Sequence, residues 1–128
     1  EELRRFFQIA RITGLSVMIA PQAFNWGASR RQSADDWRFP TETEIRSMAL
    51  LGVVNRAAGY LFYSNSPVFG QQEKRWPGSS KSFWPCVAAS ARLLQELSPF
   101  ILEGRDIPVT VVRKTTESVD VLGLKLGE

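Results

Sequence analysis

Gln22 carries one carbonyl acceptor and two amide donors, the pattern that fixes a pair of hydroxyl groups. Arg38 carries a planar fork that grips a carboxylate or hydroxyl of a ligand, or an acidic side chain in the neighbouring unit. Eleven of the fourteen aromatic residues fall between Phe24 and Trp84, which makes that stretch the place to look for a ring-lined cleft. Trp26, Tyr63 and Trp84 are the rings with polar neighbours; such rings stack on a ligand's apolar face or pack a loop onto the core. Phe24, Phe39 and Phe62 read as core. Asp35 and Asp36 are adjacent acids in a polar stretch and read as solvated.

The types that are missing narrow the chemistry further. There is no histidine, which excludes Ser-His-Asp and Cys-His catalysis and most zinc sites. Cys86 is the single cysteine, so no internal disulfide or cysteine-built metal site exists, and it reads as a small buried apolar residue. Neither a metal nor another cofactor is expected. Arg30-Arg31 and Lys74-Arg75 beside Trp76 are basic pairs near aromatics, but no nucleic-acid motif accompanies them. A net charge of +3 from 16 basic and 13 acidic residues adds no argument for nucleic acid. No apolar run approaches the roughly 20 residues that span a bilayer, so no membrane partner is expected. With 128 residues, 44% apolar and 23% charged, the composition is that of one globular domain. The chain opens at Glu1 without an initiator methionine, which points to a piece of something longer.

These residues need elements to hold them. Glu1–Thr13 has helical apolar spacing at Leu3, Phe6, Phe7, Ile9 and Ala10, with Gly14 as its stop. Leu15–Ala20 is an apolar run closed by Pro21, as in a strand buried on both faces of a parallel sheet. A long polar and aromatic loop covers 21–40. Thr41 and Glu44 match a capping box for a second helix with a buried stripe at Ile45, Met48, Ala49, Gly52 and Val53, fraying near Ala57. Thr41→Ala should cost about 1 kcal/mol, read as a lowered denaturation midpoint. Gly59–Tyr63 is the second short strand, and 64–82 the second long loop. A third helix is expected from about Trp84 to Leu97, ended by Pro99, with Cys86, Ala89, Leu93, Leu94 and Leu97 inward. Pro108–Arg113 and Val119–Leu126 alternate as an antiparallel hairpin around Lys114–Ser118. A boundary at Gly104–Asp106 separates residues 1–104 from a β-rich 105–128.

Two strands joined by a helix form a βαβ unit, with long loops at the strand C-termini and short returns at Gly14 and Ala58. The ordered set Pro21-Gln22-Ala23-Phe24, Arg38-Phe39-Pro40-Thr41, Glu44, Arg46, Ala58-Gly59-Tyr60-Leu61-Phe62-Tyr63-Ser64, then Trp84 and Ser98-Pro99, resembles a known family. It is similar to the last two βα units of TIM-barrel glycoside hydrolases and the start of their C-terminal β-domain, over residues 3 to 103. The fold class implied is α/β: a partial (β/α)8 barrel fragment with two parallel strands and three helices, then an antiparallel β-hairpin. Since a whole barrel takes about 250 residues, the remainder of the barrel would be a partner in the parent chain.

The resemblance implies a carbohydrate substrate and a cleft built from Gln22, Trp26, Arg38, Tyr63 and Trp84. It also implies that Leu15–Ala20 and Gly59–Tyr63 are the seventh and eighth barrel strands, with a carboxylate nucleophile at the end of strand seven. There this chain places Gln22, with no acid from Leu15 to Ser29. Strand eight ends in Tyr63-Ser64-Asn65, again without an acid. Hydrolysis takes two carboxylates about 5 to 9 Å apart, so the chain is not competent alone. Three readings stay open: part of a carbohydrate-active enzyme, a non-catalytic module of the same barrel type, or a free-standing α/β interaction protein.

Overall fold

The computed structural model describes residues 2–25, 38–63, 70, 72–110 and 121–127. In chain order these form α1 (Glu2–Thr13), β1 (Met18–Ile19), α2 (Glu42–Val54), β2 (Gly59–Tyr60), α3 (Glu73–Arg75), α4 (Ser79–Glu103), β3 (Arg105–Asp106) and β4 (Leu124–Lys125). The architecture is mixed helix and strand, with two small sheets of two strands each.

α1 buries Phe7 and Ala10 and stops where Gly14 turns left-handed at φ 69°, with Leu15 N–H donating to Ala10 O at 2.9 Å. α2 opens on the expected capping box: Glu44 N–H donates to Thr41 Oγ1 at 3.2 Å, and Thr41 N–H to Glu44 Oε2 at 2.8 Å. Its buried stripe is Ile45, Ala49, Gly52 and Val53, and Met48 is only half-buried. The helix ends at Val54 rather than fraying to Ala57, because Arg56 adopts φ 60° and Ala57 N–H returns to Gly52 O at 2.9 Å. An ion pair from Arg56 to Asp106 ties this turn to β3.

β1 and β2 pair in parallel, Met18 opposite Gly59 and Ile19 opposite Tyr60. Both are shorter than the apolar runs that encode them. The ladder nonetheless continues: Leu61 N–H bonds Ile19 O at 2.9 Å, Tyr63 N–H bonds Pro21 O at 3.1 Å, and Ala23 N–H bonds Tyr63 O at 2.6 Å. Burial on both faces is not found, since Leu15 is 69% and Met18 67% exposed, and Leu61 is exposed as well. The ladder uses the backbone of Ile19, Pro21 and Ala23 and of Leu61 and Tyr63, so the backbone groups of Ala20 and Phe62 point away from the partner strand. No described strand pairs with either outer edge.

α4 departs most from expectation. It runs from Ser79 to Glu103, starting before Trp84 and passing through both Pro85 and Pro99. The early start has a cap: the Glu73 carboxylate accepts Gly78 N–H at 2.6 Å and Ser80 N–H at 2.9 Å. Glu73 lies in α3, a short helix inside the stretch expected to be loop. The late end also has a cause. Pro99 has no N–H to give the carbonyl of Gln95, and Ser98 Oγ donates to it instead at 2.7 Å. The buried stripe is Phe83, Val87 and Ser90, whereas Cys86, Ala89, Leu93, Leu94 and Leu97 are half-buried. Phe83 and Val87 are turned inward because they meet Ala23, Phe24 and Ile45, with Phe39, Met48, Phe62 and Cys86 packed around them. A second cluster of Phe7, Ala10, Val17 and Ala57 seats α1 at the other end of the parallel pair.

At the C-terminal end β3 and β4 are antiparallel, Arg105 opposite Lys125 and Asp106 opposite Leu124. Pairing therefore begins before Pro108, not after it. Ile107 N–H donates to Gly123 O at 3.1 Å, so Pro108, the next residue in the pleat, turns its N–H-less backbone away from β4, where a proline is tolerated. The expected turn at 114–118, and the strand residues 111–113 and 119–120, lie outside the described residues.

Candidate functional site at the strand ends

Gln22 and Tyr63 form an isolated parallel bridge just beyond β1 and β2, so they stand side by side at the C-terminal end of the parallel pair. The Gln22 amide is partly committed: its Nε2 donates to Phe24 O at 2.8 Å, bracing the exit of the strand. Among the described residues its Oε1 and second N–H take no further partner. The Tyr63 ring meets Phe24 edge-on, centroids 5.6 Å apart, and stays 52% exposed. Phe24 itself is buried, so the core fixes the ring that positions Tyr63.

Arg38 lies at the approach to α2, and its fork is filled from within the chain. Nη1 donates to Glu44 Oε2 at 2.6 Å and Nη2 to Oε1 at 2.5 Å, with a further bond from Nη1 to Phe39 O at 3.1 Å. The Arg38 hydrogen bond, followed by that from Thr41 N–H, holds the Glu44 carboxyl down at about 2. Arg38 is thus committed to Glu44, although its side chain stays 67% exposed. Trp84 stands on α4 next to the inward-facing Phe83 and is 41% exposed. Trp26 lies outside the described residues, as do Asp35, Asp36, Arg30 and Arg31.

Three groups at this end were not expected. Gln72 is fully buried, donates from Nε2 to Asn25 O at 3.2 Å, and leaves its Oε1 without a partner. Asn25 is buried beside it. No periodicity marks a glutamine in a loop as buried, and its partner is 47 residues away. Trp76 is half-buried, edge-on to Phe39 at 5.8 Å, with the Arg75 guanidinium 5.1 Å from its ring centroid.

Glu73 is a second carboxylate engaged at a helix start. Bonds from Ser80, through its side chain and then its N–H, and from Gly78 N–H hold it at about 2. Glu44 and Glu73 are thus both ionised and hydrogen-bonded at neutral pH, which suits caps and not proton donors. Both have folded values below the ordinary 4.5, so the stability they give is full above about pH 4.5 and lost as pH falls toward 2. Melting temperature should therefore drop across that window, and Glu73→Gln should melt lower at pH 7 with a shallower acid limb. Thermal melts from pH 7 to pH 2 check this; an unchanged acid limb in the variant would contradict it.

Among the described residues no group of three or more histidine, cysteine, aspartate or glutamate side chains is placed to hold a metal ion. None of the described helices is long and apolar enough to cross a membrane. Compared with protein-family models, with curated proteins and with solved structures, the chain matches none.

Proposed function

We propose that this chain is the C-terminal part of a glycoside hydrolase-like (β/α)8 barrel, contributing carbohydrate-binding residues to a cleft and not competent for hydrolysis by itself. The observation that carries the reading is the Gln22–Tyr63 bridge, which sets an amide and a half-exposed phenol side by side where two parallel strands end. In α/β folds of this kind that end is where ligands bind. Gln22 would give hydroxyl groups its free carbonyl and remaining N–H, while Tyr63 would give a ring face and one phenolic donor. Trp84 would add a second ring, and Arg38, held by Glu44, would shape the wall before α2. The rest of the barrel would supply the catalytic acids and the strands that flank β1 and β2.

A non-catalytic carbohydrate-binding or structural module of the same type is the second reading. It is favoured by the state of Glu44 and Glu73, two carboxylates at helix starts that are both engaged as caps. Hydrolysis of a glycan panel by the complete parent protein separates the two.

The site itself is tested by Gln22→Ala in that complete protein. Losing a bond to a neutral hydroxyl should weaken sugar binding by about 1 kcal/mol, roughly fivefold in Kd. Because Gln22 also braces Phe24 O, the melting temperature is measured alongside. Tyr63→Phe removes only the hydroxyl and leaves the ring packing on Phe24. Undiminished binding in both variants would remove the site.

A further inference from the structure

We draw no further inference here: the strongest candidate, the exposed apolar face along the free edge of β1 formed by Phe6, Ile9, Leu15 and Met18, carries nothing because nothing in the structure shows what covers it.

Discussion

Ile45→Ala should lower the free energy of unfolding by about 2–5 kcal/mol, the range for removing a fully buried aliphatic side chain. Ile45 is 0% exposed and sits where three parts of the chain meet: Ala23 and Phe24 from the end of β1, Phe83 and Val87 from α4, and α2 itself. Those neighbours are anchored on separate elements, so they cannot collapse together into the space left. Against a typical domain stability of 5–15 kcal/mol such a loss is severe. Urea denaturation measures it, with an unchanged m-value showing that the unfolded state is the same. Ile45→Val should cost only about 0.5–1.5 kcal/mol. A loss below 1 kcal/mol for the alanine variant would mean that this cluster does not hold α2 against α4.

Gly52→Ala should destabilise even though alanine is the better helix former. A Cβ at this position would lie 2.5 Å from Tyr60 Oη, 2.7 Å from Tyr60 Cε1 and 2.9 Å from Ile19 Cδ1. The glycine is what lets α2 approach the parallel pair. Overpacking of this kind costs about 1–3 kcal/mol while the gain in helix propensity returns about 1, leaving a net loss of up to about 2 kcal/mol. Tyr60 gives an internal control. Its hydroxyl is buried without a partner, and burial pushes the phenol up to about 12. Tyr60→Phe alone should be neutral or stabilising, since it removes an unsatisfied group. Combined with Gly52→Ala it should recover part of the loss by deleting the nearest clashing atom. A double-mutant cycle reads the coupling; strictly additive effects would show that the helix and Tyr60 do not touch.

The parts of this fold that were legible in the sequence are those written in short-range chemistry. Thr41 and Glu44 sit three residues apart, and their reciprocal bonds need nothing else from the chain. The apolar runs around Met18 and Gly59 announced a parallel pair, and Gly14 announced the end of α1. The extent of α4 was hidden because each stop signal had a local answer. Ser98 fills the carbonyl that Pro99 vacates, and Glu73 caps a start that the glycine at 78 leaves without a capping side chain. Within the candidate site, Gln22 and Tyr63 were legible from their places after the two strands. Gln72 and Asn25 were not, because their pairing depends on how two distant segments come together. Arg38 was legible as a carboxylate grip, toward a ligand or an acid of the neighbouring unit, but its partner Glu44, six residues on, was not.

The register of Met18 against Gly59 also bears on the order of events in folding. This ladder closes only by bringing together residues separated by the whole of α2, so the chain bears the entropy of loop closure before any strand bond repays it. The bonds that start α2 and α4 join residues three to seven apart and face no such barrier. Helices that form first would present Ile45, Phe83 and Val87 to each other, a surface on which the parallel strands could then pair. The pairing at Gln22 and Tyr63 is therefore expected to form late, with φ-values there lower than those at Ile45 and Val87.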